Sequence, residues 1–334
     1  MQFFTRLSQS DMKNRSILIQ KTFFMPRRNN ELLLAITLAM CCAGDVRSAA
    51  RTSHLLICGS AQVLEGAIER HHGGDVFKTQ WVWRPERSAG LPLRLMSDFA
   101  GTDECKPVDD GKEILITSSG NGLALVEHGT GNTLFYAAVR NAHSAALLPD
   151  GLIVAAASFS HGGSGDRLLL FDRKISERVL ASFPLTGAHG VEWDPDRNVL
   201  WALGDRELAE IAISQTGITA FTMTLKRSFS LPIRGGHDLV LAHDNSVLFL
   251  TTSAQVFIFH PEDASFSPFE VFSGISNVKS LSINPKDGQI VYTKSERGVW
   301  WTYKLQLLRP ASEVVLSEHA YKARWYVTSH SDRR

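Results

Sequence analysis

From His54 onward the chain consists of short apolar runs of four to seven residues, split by polar turn signals. Examples are HLLICG (54–59), EILITSS (113–119), LALVEH (123–128), LIVAAAS (152–158), RLLLFD (167–172), NVLWALG (198–204), VLFLTTS (247–253) and QIVYTKS (289–295). Between them stand Asp110-Gly111, Gly129-Thr130-Gly131, Asp150-Gly151, Pro195-Asp196, Asp244-Asn245 and Asp287-Gly288. Runs of this length bounded by such turns read as β-strands, and no amphipathic helical spacing interrupts them. The pattern predicts an all-β chain.

The runs repeat. Each unit opens with a polar residue, continues as a strand, turns at a Pro-Asp or Asp-Gly step, and adds three more strands. The openings are DECKPVDDG (103–111), AHSAALLPDG (142–151), AHGVEWDPDR (188–197), GHDLVLAHDN (236–245) and VKSLSINPKDG (278–288). Their polar entry residues are Glu104, His143, His189, His237 and Lys279, spaced by 39 to 48 residues. Four strands per unit at that period predict a β-propeller. YKARWYV (321–327) supplies a sixth opening strand with Lys322 at its entry, and no further strands follow. HLLICGS, VLEGAIE and KTQWVW near the other end lack an opening strand. Joining the two ends completes a sixth blade and leaves no exposed sheet edge. The propeller is thus expected over residues 51–328, with a short disordered tail at 329–334.

The first fifty residues have a different character. Arg27 and Arg28 precede an apolar run, LLLAITLAMCCAG (32–44), and small residues follow at 48–50. Basic, apolar and small segments in that order read as a signal peptide for a secreted or periplasmic protein, with Met25 as a natural start. The apolar run is too short to span a membrane. Beyond it only Cys58 and Cys105 remain of the four cysteines. They either pair in an oxidising compartment or stay as buried thiols. A net charge of +1 gives no basic field of the kind nucleic acid requires.

In a propeller the first strand of each blade lies innermost, so equivalent entry residues converge at one mouth of the channel. The expected ring is Glu104 (with Lys106), His143, His189, His237, Lys279 and Lys322 (with Arg324). Three imidazoles from successive blades are suited to a divalent metal such as Mn, Zn or Fe, with Asp238 available to orient one of them. Lys322 and Arg324 are suited to an acidic group on a substrate. A lysine desolvated near a metal loses basicity and can transfer protons, which makes Lys106 or Lys279 the catalytic candidate with Glu104 orienting it. The plainer alternative is structural: Glu104 neutralises the lysines, and the histidines bond to backbone or water. Trp300 and Trp301 are consecutive, so one of them can face outward and stack on a sugar ring. The glycine-rich HGGSGD (161–166) reads as a rim loop, and no hydrolase elbow or dinucleotide fingerprint is present.

The phrases DECKPV, NAHSAALLPDG, HGVEWD, GGHDL, NVKS and YKARW resemble an uncharacterised family of secreted bacterial propeller proteins. That resemblance implies six blades and brings no established activity. A more distant likeness, to oligogalacturonate lyases, implies His143, His189 and His237 as metal ligands. Those enzymes have seven blades, and their fourth ligand has no match here. The combined expectation is an exported monomer acting on an anionic saccharide of the uronic-acid type, as a metal-dependent lyase or hydrolase. A binding module using the same face and a lactonase or esterase are the alternatives.

Overall fold

The computed structural model describes residues 53–159, 165–217 and 219–327. The expected leader, the tail at 329–334 and most of the glycine-rich loop lie outside the described residues.

Three strands open the described chain: β1 (His54–Cys58), β2 (Val63–His71) and β3 (Gly74–Trp83). Blade 1 follows as β4 (Thr102–Val108), β5 (Glu113–Ser118), β6 (Gly122–Glu127) and β7 (Thr133–Ala138). Blade 2 is β8 (Ala142–Leu147), β9 (Leu152–Ala157), β10 (Arg167–Asp172) and β11 (Val179–Pro184). Blade 3 is β12 (Gly190–Asp194), β13 (Val199–Leu203), β14 (Glu207–Gln215) and β15 (Phe221–Ser230). Blade 4 is β16 (Leu239–Leu241), β17 (Leu248–Thr251), β18 (Val256–His260) and β19 (Ser265–Pro268). Blade 5 is β20 (Val278–Ile283), β21 (Ile290–Lys294), β22 (Thr302–Leu308) and β23 (Ser312–Ala320). The last strand, β24 (Lys322–Tyr326), pairs antiparallel with β1 from Cys58↔Lys322 to His54↔Tyr326. Blade 6 is therefore β24-β1-β2-β3, built from both ends of the propeller.

The fold is an all-β, six-bladed propeller, and its core shows why the pattern reads so clearly. Each blade is sandwiched between two neighbours, so its inner strands have no wet face. β5, β9 and β13 are buried almost throughout and read as unbroken apolar runs. The outermost strands touch solvent, and β15 is exposed at seven of its ten positions. Six hydrophobic clusters fill the six seams between blades. The one around Trp83, Phe99, Cys105 and Ile114 joins blade 6 to blade 1 and closes the ring. Cys58 and Cys105 lie at that seam as buried free thiols.

The expected turns carry the left-handed backbone their residues favour. At the Pro149-Asp150-Gly151 turn, Asp150 and Gly151 have φ of 61° and 80°. Gly190 answers a different need. A Cβ there would lie 2.6 Å from that of Leu239, so only glycine lets β12 and β16 approach beside the channel.

Candidate functional site

The inner strands start together, and the residues at their starts line a cavity of about 490 Å³ at one mouth of the channel. His143, His189 and His237 converge there as the spacing requires. Blades 1 and 6 differ from the expectation by one residue. Pairing of β4 with β5 skips Asp103, pairing of β8 with β9 skips His143, and pairing of β20 with β21 skips Lys279. Each skipped residue is the extra one of a bulge at the strand entry. The equivalent of His143 in blade 1 is therefore Asp103, and in blade 6 it is Tyr321, both of which line the cavity. Glu104 and Lys322 stand one step further down the channel and do not reach the mouth.

That lower layer is closed on itself. Arg324 bonds Glu104 at 2.8 and 2.9 Å and Asp238 at 2.6 and 2.8 Å. Lys322 sits 3.2 Å from Glu104 and 3.0 Å from Asp238. Two carboxylates and two cations make a neutral quartet with essentially no solvent exposure. Burial pushes Glu104 and Asp238 up, but Arg324 and then Lys322 outweigh it and hold both below the usual carboxylate range. Burial lowers Lys322, and Asp238 and Glu104 outweigh it, so it ends raised. Asp238, expected to orient an imidazole, is thus spent on Lys322, Arg324 and the Leu281 amide. Lys106 bonds the Val191 carbonyl at 2.7 Å and Glu192 at 2.8 Å, and with Arg324 it lines a second cavity at the opposite mouth. Of the residues expected to transfer protons or hold the acid, only Lys279 stays with the histidines.

At the upper mouth the His143 and His189 rings stack, with centroids 4.2 Å apart and planes 11° from parallel. His237 meets His189 edge-on at 5.2 Å. A metal ion must lie in the plane of each imidazole that ligates it. Two parallel, stacked planes share no such point, so His143 and His189 as placed do not ligate one ion together. Among the described residues no group of three or more His, Cys, Asp or Glu is arranged to hold a metal.

The polar contacts in the cavity are sparse. His189 Nδ1 lies 2.9 Å from Ser158 Oγ and 3.0 Å from the Gly187 carbonyl, which makes Nδ1 the protonated nitrogen. Lys279 Nζ is 2.9 Å from His237 Nε2 and 5.0 Å from the centre of the Trp300 ring. His143 Nδ1 is 3.4 Å from Asp103 Oδ1, and Asp103 also accepts the Ser119 amide. Burial and then the neighbouring imidazoles of His143 and His237 hold His189 well below the usual histidine range. Burial and then Lys279 push His237 down to about 3. Burial lowers Lys279 to about 8. Lys279 is 2% exposed and has no carboxylate partner among the described residues.

The rim is aromatic. Trp300 is 73% exposed and Phe159 is 50% exposed, while Trp301 packs against His319 and Tyr303. His319 also lines the cavity. His128 lies away from the cavity and bonds Glu65 at 2.7 Å and Tyr326 at 3.1 Å across the closing seam. Asp103 and Tyr321 were legible only by aligning bulges, which takes strand pairing and not spacing.

The chain matches the family of unknown function DUF6528 over residues 29–331, and it belongs to that family. Among solved structures it is similar to a protein of Bacteroides uniformis ATCC 8492, provisionally assigned as a 6-phosphogluconolactonase. The TM-score is 0.49 at 10% identity, covering 81% of this chain and 83% of that one. No curated protein matches the chain. No helix among the described residues is long and apolar enough to cross a membrane.

Proposed function

For this member of a family of unknown function, we propose that the histidine-lined mouth binds an acidic saccharide and breaks it by proton transfer, as a lyase or hydrolase. One observation carries the reading. Lys279 is a buried cation without a counter-charge among the described residues, held on His237 beside a sugar-sized cavity. A buried charge is costly until it is paired, so the site favours an anion that enters with its ligand. A carboxylate on Lys279 also makes the adjacent C–H more acidic. His143 is the base in this proposal, since the Asp103 carboxylate beside it offsets the imidazolium that forms. Trp300 offers an open aromatic face for the sugar ring.

Metal assistance by Mn, Zn or Fe on His143, His189 and His237 requires one of the stacked rings to turn. The reading therefore assigns the chemistry to side chains. Elemental analysis of the purified protein tests this: stoichiometric metal that disappears in His143→Ala would return the site to a metal-centred scheme. The function itself is tested by calorimetry with uronic-acid oligosaccharides against neutral sugars of the same size, and by ultraviolet absorbance of an unsaturated product. Equal affinity for the charged and neutral sugars would overturn the role of Lys279. Binding without product would leave a sugar-acid receptor.

A further inference from the structure

Tyr321 fills a slot of the ring that the proposed function leaves unused. It is 7% exposed and lines the cavity, and no protein group among the described residues hydrogen-bonds its hydroxyl. Tyr326, five residues on, shows the ordinary arrangement: its hydroxyl donates to the Gly111 carbonyl at 2.6 Å. A phenol that faces a cavity and is not engaged by a protein group can donate to a ligand there. The Tyr321 ring lies 5.9 Å from that of His143, and Asp103 is close enough to act on it electrostatically.

Resting on the reading above, we infer that Tyr321 is a catalytic residue, the acid that protonates the departing oxygen when a uronic-acid glycosidic bond is broken by elimination. The step balances without a co-reactant. His143 takes the proton from the carbon next to the carboxylate held by Lys279. The electron pair left behind forms a carbon–carbon double bond as the neighbouring C–O bond breaks. The departing oxygen takes the Tyr321 proton and leaves as an alcohol. The proton on His143 then returns to the tyrosinate, and both side chains regain their starting state. Burial, with Asp103 next, keeps the phenol protonated far above neutral pH, so it serves as donor and not as base. Glu104 and Lys322, the residues expected at these entries, cannot take this part because the quartet already holds them.

Tyr321→Phe is the test, with melting temperature compared to confirm folding. On a uronic-acid disaccharide or trisaccharide, kcat should fall about 10²–10⁴-fold. The dissociation constant for galacturonic acid, which offers no bond to eliminate, should weaken by no more than about tenfold. A variant that keeps kcat within about threefold of wild type overturns the assignment. A wild-type protein that binds uronides without cleaving them also overturns it and leaves the acidic-saccharide reading in place. Failure of wild type to bind any uronide removes both. Where phenylalanine disturbs folding, fluorotyrosine at 321 keeps the shape and lowers the phenol pKa. The alkaline limb of kcat should then move down, and an unmoved limb overturns the proposal.

Discussion

Lys279 and Lys322 enter the channel from adjacent blades, 43 residues apart in a repeat of that size, and both are almost wholly buried. Their surroundings are opposite. Lys322 touches two carboxylates and a carbonyl, and its charge is fully answered within the chain. Lys279 touches a neutral imidazole and the face of an exposed tryptophan. The contrast extends to the two layers they belong to. Glu104, Asp238, Lys322 and Arg324 satisfy one another and plug the channel. One residue nearer the mouth, Asp103, the three histidines and Tyr321 line a cavity, with Lys279 beside them on His237 and without a carboxylate among the described residues. A saturated polar layer fixes the ring, whereas an unsaturated one stores unfavourable energy that a ligand can release.

The largest test of this contrast is in the lower layer. Glu104→Gln strands Lys322 and Arg324 with half their counter-charge and should cost about 3–5 kcal/mol in urea unfolding. A loss below about 1 kcal/mol would mean the quartet does not hold the ring.

Lys279→Met should act with the opposite sign. The lysine is lowered from 10.5 to about 8, so its charged form is disfavoured in the folded state. Removing it should stabilise the unliganded protein by up to about 3 kcal/mol while abolishing uronide affinity. Between pH 8 and 10.5 the unfolded chain binds more protons than the folded one, so wild-type stability should rise with pH there. The variant should lack that rise. Uronide affinity of the wild type should fall as pH climbs through about 8.

The histidines set the acid side. His237 is pushed from 6.5 to about 3, so below pH 6.5 the unfolded chain takes up a proton that the folded chain refuses. Stability should therefore fall on acidification from pH 6.5 towards 3. His237→Asn should reduce that slope by up to about 1.4 kcal/mol per pH unit, read from thermal melts. An unchanged slope would place the acid sensitivity elsewhere. The smallest effect is expected at the rim, where Trp300→Ala should change stability by less than about 0.5 kcal/mol. It should weaken uronide binding about threefold to tenfold, and an unchanged affinity would remove Trp300 from the site.

Much of this arrangement was legible in the chain. Alternating apolar runs and Asp-Gly turns gave the strands, and the spacing of His143, His189 and His237 gave the blades and brought those three to one mouth. The ring closure was legible because HLLICGS, VLEGAIE and KTQWVW lack an opening strand of their own and YKARWYV reads as one. The exit of Glu104 and Lys322 from the mouth was not. A strand alternates its faces with period two, so one extra residue at the entry exchanges the side chain at the cavity for the one in the channel. Spacing that varies by several residues between blades does not register that shift.

The sequence by itself determined the strand content, the sixfold repeat and its closure, because local periodicity and turn chemistry act over a few residues. The tertiary structure alone decided which of two adjacent polar residues faces the cavity and which charges are answered. Those outcomes depend on entry bulges and on partners such as Glu104 and Arg324, which lie 220 residues apart in sequence.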